Sequence, residues 1–188
     1  GGVTAVPGFT AAGVHAGIKY RKPDVALIAA DRRCTAAATF TRNAVQAAPL
    51  KVTRQHLADG HARAVVCVSG VANACTGPRG ESDARAMADM VARALGIAPE
   101  DVIVASTGVI GVPLDLEKVR AGLAALTVGR DGGPAVARAI MTTDTVPKQA
   151  VVRRTLRDGR VVTIGGMAKG SGMIHPNLAT MLAFLTTD

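Results

Sequence analysis

Two short valine-rich runs, each followed by a glycine-containing loop and then by a helical pattern, constrain the fold of this chain most. Residues 64–69 (AVVCVS) and 102–105 (VIVA) have the length and composition of buried strands. Residues 82–95 and 115–126 follow them and place apolar side chains at the spacing of one helix face. Strands that alternate with amphipathic helices predict a mixed α/β (α+β) fold in which helices are layered on a β-sheet.

The remaining segments add shorter elements to this framework. Asp158-Gly159 lies between the apolar runs 150–156 and 160–164, and this arrangement is typical of a β-hairpin. Residues 1–22 are rich in Ala and Gly, and we expect them to be irregular. Further strands are predicted at 25–30, 35–41 and 181–185, and further helices within 51–59 and from Pro134 to about Met141.

Composition limits the partners of the chain. It has 188 residues, enough to bury a core, with no Trp, one Tyr and three Phe. Scarce aromatic residues argue against single-stranded nucleic-acid binding, which uses aromatic stacking platforms. The net charge of +8 favours acidic partners or reflects a solvated arginine-rich surface, and charge alone leaves both interpretations open.

The cysteines indicate a reducing compartment. Cys34, Cys67 and Cys75 are odd in number and lack a C-x-x-C spacing, so we interpret them as reduced core thiols of a cytoplasmic protein. A zinc site built from them has no recognisable ligand spacing. The sequence shows no signal peptide and no apolar run of membrane-spanning length, and we predict no membrane association.

The segment from Gly165 to Leu182 is the most informative part of the sequence for function. Its Lys169-Gly170-Ser171 has the wrong order for a phosphate-binding loop, which needs glycine before lysine and a helix after it. His175 is followed by a proline and has no acidic residue placed to orient it, so a structural or surface role is favoured.

Thr180 is the candidate nucleophile of that segment. A threonine becomes reactive when its own α-amino group, with a pKa of about 8, is free to act as a base. This chemistry requires cleavage of the Ala179-Thr180 bond, and the small Ala179 and the glycine-rich approach would permit it. Without other information, the interpretation of Thr180 as simply the first residue of a strand is the favoured one.

The motifs of the chain, taken together, resemble the ornithine acetyltransferase (glutamate N-acetyltransferase) family of arginine biosynthesis. They cover nearly the whole chain in the order of the family: Phe40-Thr41-Arg42-Asn43 with Ala48-Pro49, Ala72-Asn73-Ala74-Cys75-Thr76-Gly77, Ser106-Thr107-Gly108-Val109-Ile110-Gly111, Thr142-Thr143-Asp144 with Pro147-Lys148, and residues 165–188. Val68 and Val71 depart from the family pattern around Ser69-Gly70. We expect that departure to alter local packing and not the chemistry.

The resemblance implies roles for individual residues. Thr180 matches the nucleophile, released by self-cleavage between Ala179 and Thr180, as in an N-terminal-nucleophile-like fold. Thr107 and Gly108 match the pair that forms the oxyanion hole. Lys169 and Thr143 match substrate-binding residues. The choice of Thr143 over the adjacent Thr142 stays open.

The resemblance also implies the reaction and the assembly. The acetyl group of N-acetylornithine would pass to Thr180 and then to glutamate, with no metal or prosthetic group; acetyl-CoA as a further donor is left open. We expect residues 1–179 to be an α chain, one domain completed by a β chain. Residues 180–188 would be the first strand of that β chain, in an α₂β₂ heterotetramer.

Two other functions are weighed against this one. An N-terminal-nucleophile aminopeptidase of related fold would transfer its acyl group to water. A non-catalytic module that binds acidic ligands or RNA is suggested by the net charge alone, and the sequence lacks the dense basic stripe expected of it.

Overall fold

The computed structural model describes residues 1–171 and 181–188 and shows a mixed α/β fold. In chain order its elements are β1 (Phe9–Val14), β2 (Val25–Thr35), α1 (Ala48–His56), β3 (His61–Val71), α2 (Gly77–Leu95), β4 (Val102–Val109), α3 (Leu116–Ala125), α4 (Gly133–Ala139), β5 (Lys148–Thr155), β6 (Val161–Lys169) and β7 (Leu182–Thr187). One sheet has the order β1-β2-β3-β4 and the other β5-β6-β7. The predicted layering of helices on sheets is confirmed.

The first sheet is covered on both faces, because its strands direct apolar side chains to each side in alternation. Val25 and Leu27 of β2 pack with α2 and α3 on one face. Ala26 and Ile28 pack with α4 and with Met167 of β6 on the other face. The first sheet is therefore the middle layer between helices on one side and α4 with the second sheet on the other.

The parallel pair β3-β4 positions the strand ends that matter most for function. Strands β1, β2 and β3 pair antiparallel, but β3 and β4 pair parallel, with α2 in the connection between them. In this register Ser69 lies opposite Thr107, and Gly70 lies opposite Gly108. Both strands therefore end at the same edge of the sheet, where ligands commonly bind in α/β folds.

Strand β4 is the outer strand of its sheet. Side chains of α1 form hydrogen bonds with the backbone groups on the open edge of β4. Thr53 Oγ donates to the carbonyl oxygen of Val104 at 2.7 Å and accepts from the Val104 amide at 3.0 Å. His56 Nδ1 lies 2.8 Å from the carbonyl oxygen of Val102. These bonds replace those of a missing neighbouring strand and protect the edge.

The predicted hairpin is confirmed in the second sheet. Gly159 adopts a φ of +85°, and the amide of Leu156 bonds to the carbonyl of Arg160 across the turn. Strand β7 pairs with the other side of β6, so that Leu182 lies opposite Lys169. Thr186 Oγ donates to the carbonyl oxygen of Val3 at 2.8 Å and joins the sheet to the N-terminal turn.

Three expectations about local structure were wrong. Residues 1–22 contain a 3₁₀ turn and strand β1, and small residues are required there because a β-carbon at Gly13 would lie 2.5 Å from the Ala135 carbonyl oxygen of α4. The strand predicted at 35–41 does not form, since Thr35 pairs with His61, the first residue of β3, and nothing in β3 continues beyond it. Helix α2 begins at Gly77, earlier than position 82, because its Pro78 is tolerated in a first helical turn.

The expectation of three core thiols was also wrong. Cys67 is buried in the core, but Cys34 is half-buried and Cys75 is exposed. Burial raises the pKa of the Cys67 thiol to about 12, so this thiol stays protonated and inert. In the part of the chain that the structure describes, no helix has the length and apolar character needed to cross a membrane.

Candidate active site

Near the ends of β3 and β4, the backbones of Gly70 and Gly108 approach too closely to leave room for a side chain at position 108. Gly108 has a φ of +135°, and a β-carbon there would lie 2.3 Å from the carbonyl carbon of Gly70. Gly70 itself has a φ of +117°. Both conformations are ones that residues with side chains rarely adopt. The predicted oxyanion pair Thr107-Gly108 therefore lies on a closely packed and conformationally restricted strand exit.

Ser69 fixes the neighbouring strand exit to the helix behind it. Its side chain is buried, and Oγ donates a 2.5 Å hydrogen bond to the carbonyl oxygen of Ala139 in α4. Thr107 is the register partner of Ser69, so their side chains point to the same face of the sheet. The Thr107 hydroxyl therefore lies on the face that α4 and β6 cover.

The loop after β3 is held in place by Asn73. This buried residue has a φ of +48°, and its Nδ2 donates to the carbonyl oxygen of Gly80 at 2.8 Å. Its Oδ1 accepts from Thr76 Oγ at 2.8 Å. The amide of Gly111 also donates to the carbonyl oxygen of Ala74, which joins the loops after β3 and β4. The hydrogen bonds of the 72–77 motif thus hold the loops that follow β3 and β4 in fixed positions.

The predicted substrate-binding loop at 142–144 is organised around Asp144. This buried carboxylate accepts from the Gly170 amide at 2.6 Å, from Lys148 Nζ at 2.6 Å and from the Thr142 amide at 3.2 Å. Burial raises the pKa of Asp144, but these hydrogen bonds outweigh that effect and hold the pKa at about 2. Thr143 is exposed to solvent and Thr142 is half-buried.

Lys169, the last residue of β6, is almost fully buried, with 3% of its surface exposed. Its Nζ donates to the carbonyl oxygen of Gly170 at 2.7 Å. Burial lowers the pKa of Lys169, and the nearby Asp144 carboxylate opposes this shift. The predicted substrate lysine thus lies beside the Asp144 loop, in a place where water is largely excluded.

Lys19 is a site residue that the sequence did not indicate. Its Nζ donates to the carbonyl oxygen of Met141 at 2.8 Å, and its aliphatic stem passes over Gly70. Burial lowers the pKa of Lys19 to about 8, while the carboxylates of Asp24 and Asp144 raise it. Residues 1–22 were expected to be irregular, and nothing in the sequence distinguished Lys19 from the neighbouring Arg21 and Lys22.

The structure therefore brings most of the predicted site residues to one edge of the molecule. Thr107-Gly108 contacts Gly70, Gly70 contacts Lys19, Lys19 reaches Met141, and Asp144 reaches Gly170. Ala179, Thr180 and His175 lie outside the described residues. Leu182, two positions after Thr180 in the sequence, pairs with Lys169 in the sheet. The roles assigned to these residues remain predictions.

Electrostatically, the described part of this edge suits an organic anion. Asp144 is neutralised by Lys148, and Lys19 and Lys169 add positive charge close to it. Desolvated ammonium groups of this kind bind carboxylates strongly. Within residues 1–171 and 181–188, no group of three or more His, Cys, Asp or Glu side chains is close enough to hold a metal ion.

A comparison with the sequence profiles of known protein families shows which family this chain belongs to. The sequence profile of the ArgJ family matches residues 10–188. The chain belongs to the ArgJ family. This membership confirms the resemblance to ornithine acetyltransferases that the motifs indicated.

Curated relatives of the ArgJ family are similar along the whole chain. The "Arginine biosynthesis bifunctional protein ArgJ" of Symbiobacterium thermophilum is 56% identical, over 100% of this chain and 48% of that relative. The protein of the same name from Bacillus subtilis is 49% identical, over 100% of this chain and 46% of that relative. The chain thus spans about half the length of the curated relatives it matches.

Solved structures of the ArgJ family share the fold. The ArgJ protein of Bacillus halodurans superimposes with a TM-score of 0.90 at 43% identity, covering 97% of this chain and 95% of that one. An ornithine acetyltransferase of Mycobacterium tuberculosis, solved in complex with ornithine, gives a TM-score of 0.85 at 47% identity, covering 95% of this chain and 96% of that one.

Proposed function

We propose that this chain is part of an ornithine acetyltransferase, which moves the acetyl group of N-acetylornithine to glutamate through an acetyl-Thr180 intermediate. Membership of the ArgJ family and similarity to an ornithine-bound ornithine acetyltransferase support this proposal. The observation that carries it is the convergence at one edge of Thr107-Gly108, the 142–144 loop and Lys169. Leu182, just beyond Thr180, pairs with Lys169 at the same edge.

In the first half of the proposed reaction, Thr180 Oγ attacks the acetyl carbonyl carbon of N-acetylornithine. The α-amino group of Thr180, free after cleavage from Ala179, takes the hydroxyl proton. The carbonyl oxygen becomes an oxyanion that accepts hydrogen bonds from Thr107 and Gly108. The C–N bond then breaks, the Thr180 ammonium returns the proton to the leaving amine, and free ornithine departs.

In the second half, the amine of glutamate attacks the acetyl ester on Thr180. The same amine of Thr180 accepts the proton released from the attacking nitrogen and passes it to Oγ as the ester bond breaks. The products are N-acetylglutamate and the regenerated threonine. Because both halves pass through one kind of oxyanion, the same pair, Thr107 and Gly108, serves each of them.

Lys169 and the 142–144 loop bind the substrates in this proposal. The desolvated ammonium of Lys169 suits the α-carboxylate that N-acetylornithine and glutamate share. Thr143 is exposed at the surface of the loop, where its hydroxyl is available to a ligand, and the buried Asp144 fixes the loop from below. Because N-acetylornithine and glutamate share this α-carboxylate, both can bind in turn at the same site.

The proposed assembly follows from family membership and from length. Since the chain spans about half of its curated relatives, the rest of such a protein would complete the site. We propose that residues 1–179 form the α chain, that Thr180 begins the β chain, and that two copies of each associate as α₂β₂. The mechanism uses no metal or prosthetic group, and acetyl-CoA is the further donor to be assayed.

The test uses the full-length protein, N-acetylornithine labelled in its acetyl group, and glutamate. Labelled N-acetylglutamate should form with parallel-line double-reciprocal plots, because the two substrates never share the site. Thr180→Ala should abolish transfer, while Thr155→Ala, which alters an exposed threonine of β5, should leave it unchanged. Transfer by Thr180→Ala would disprove the mechanism. Release of labelled acetate to water, or of free amino acids from peptides, without transfer would favour an aminopeptidase-like hydrolase.

A further inference from the structure

Lys19 physically joins two parts of the candidate site that are far apart in sequence. Its Nζ donates a 2.8 Å hydrogen bond to the carbonyl oxygen of Met141, which lies 122 positions away. Its aliphatic stem crosses Gly70, where an added β-carbon would lie 3.0 Å from Lys19 Cγ. Gly70 is the register partner of Gly108. One side chain thus runs from the strand exits to the start of the 142–144 loop.

The backbone that carries Lys19 is itself fixed. Asp24 is fully buried, and its carboxylate accepts from the amides of Ala16 at 2.6 Å, Ile18 at 2.8 Å and Lys19 at 2.9 Å. Three bonds from backbone amides to one buried carboxylate leave the segment little freedom. A lysine on a mobile loop loses backbone entropy when its side chain forms a bond, but Lys19 extends from a backbone that is already ordered.

The position of Lys19 carries an electrostatic cost, which argues against a role in stability alone. Removing an ammonium group from water is unfavourable, and burial accordingly lowers the pKa of Lys19 to about 8. Lys22 adds repulsion, and Asp24 and Asp144 compensate in part. Ionisable groups that are partly desolvated cluster at functional sites, and Lys19 lies at the candidate active site.

We propose that Lys19 is a positioning residue, which holds Met141 and the 142–144 loop that follows it at a fixed distance from the Gly70-Gly108 strand exits. Thr143, the proposed substrate contact, lies two positions after Met141, so the bond from Lys19 to the Met141 carbonyl sets its position relative to the oxyanion donors. Errors of about 1 Å in such positions cost large factors in rate. The inference rests on the proposed function for its kinetic part and on geometry alone for its structural part.

Hydrogen–deuterium exchange tests the structural part without any assay of activity. Lys19→Met in the full-length protein keeps the stem over Gly70 but removes the donor to Met141. Exchange should rise in peptides that contain residues 141–148 and Gly170. The amides of Thr142 and Gly170 donate to Asp144 of this loop and are protected only while the loop is held in place. Lys118→Met, which alters an exposed lysine paired with Asp115, should leave those peptides unchanged. Unchanged exchange in Lys19→Met would overturn the inference.

Steady-state kinetics test the functional part. Lys19→Met should raise the KM for N-acetylornithine about tenfold, because substrate binding must then supply the ordering of the loop that one hydrogen bond from a charged group supplied before. Partial misfolding would lower the apparent kcat and leave KM unchanged, so KM separates positioning from stability. An unchanged KM in an active Lys19→Met enzyme would overturn the inference. A wild-type protein without transferase activity would overturn the proposed function instead. The exchange experiment would then still test whether Lys19 holds the loop in place.

A second variant covers the case in which Lys19→Met does not fold. Lys19→Cys can be alkylated in the folded protein with 2-bromoethylamine, which rebuilds a lysine-length side chain ending in an ammonium group. Alkylation should restore the wild-type KM and loop exchange. Wild-type protein treated in the same way controls for modification of Cys34 and Cys75. If alkylation changes neither KM nor exchange relative to untreated Lys19→Cys, the inference is wrong.

Discussion

The backbone amide of Gly170 donates a 2.6 Å hydrogen bond to Oδ1 of Asp144, and these residues are 26 positions apart. The same oxygen accepts from Lys148 Nζ at 2.6 Å. Gly170 directly follows Lys169, so the bond ties the 142–144 loop to the proposed substrate lysine. Asp144 is therefore the residue that holds two predicted parts of the site together.

Replacing Asp144 should weaken the protein and change its response to acid. Asp144→Asn loses the ion pair with Lys148 and should lower the free energy of unfolding at neutral pH by about 2 kcal/mol. The pKa of Asp144 is depressed to about 2 from 3.8. Its contribution is therefore complete above pH 3.8 and is lost as the pH falls toward 2.

Urea unfolding followed between pH 6 and 2 measures this effect. The wild-type protein should lose stability through this range more steeply than Asp144→Asn, which no longer has the titrating group. Asp131→Asn, at an exposed position, serves as the control and should behave like the wild type. Identical pH dependence in wild type and Asp144→Asn would contradict the role assigned to Asp144.

Replacing Gly108 by alanine should be severely disruptive. The new β-carbon would meet the Gly70 carbonyl oxygen at 2.4 Å and would need a φ near +135°. We expect a loss of about 3 kcal/mol in the free energy of unfolding, from backbone strain plus overpacking. Gly111→Ala also has a positive φ but no neighbour within 4 Å, and it should cost about 1 kcal/mol. Thermal unfolding of both variants checks the difference, and equal losses would rule out the close contact.

Ser69 should contribute to stability through α4. Ser69→Ala removes the hydroxyl that donates to the Ala139 carbonyl and leaves that carbonyl without this bond. The expected loss is about 1–3 kcal/mol in the free energy of unfolding, measured in urea. Ser82→Ala, at an exposed position of α2, should change stability by less than about 0.5 kcal/mol. A Ser69→Ala protein as stable as Ser82→Ala would mean that the bond to α4 contributes nothing.

Thr53 should be required at the open edge of β4. Thr53→Val conserves the shape of the side chain but removes both bonds to Val104, and we expect a loss of about 2 kcal/mol in the free energy of unfolding. Thr35→Val, at the exposed end of β2, is the matched control. Chemical unfolding should separate the two variants, and an equal stability of both would show that the edge of β4 is satisfied in another way.

Local patterns predicted the parts of the fold whose determinants are close together in sequence. The hairpin at Asp158-Gly159 was predictable because turn residues and flanking strands lie within about ten positions of one another. Gly70 and Gly108 were predicted to lie in the loops after their strands, but β3 and β4 continue through them to Val71 and Val109. Strand β1 was missed because its Ala and Gly residues have low strand propensity, and they are selected instead by the close approach of α4 to Gly13.

The candidate site was predictable only where motifs marked it. Thr107-Gly108, Thr142-Thr143-Asp144 and Lys169 were indicated by resemblance to a family, and no rule of spacing would have brought them together. Lys19 and Asp24 were missed because their partners are set by tertiary structure: the Lys19–Met141 bond joins residues that no local pattern connects. Long-range polar contacts of this kind follow from topology, which the sequence pattern specifies only coarsely.

Peptide mass mapping can detect directly whether Thr180 carries the acetyl group during the reaction. The full-length protein is incubated with N-acetylornithine in the absence of glutamate, quenched in acid and digested. A peptide that begins at Thr180 and carries the mass of one acetyl group should appear, and the acetyl mass should be lost from that peptide after glutamate is added. An uncleaved Ala179-Thr180 bond in a fully active enzyme, or an acetyl group on a different residue, would contradict it.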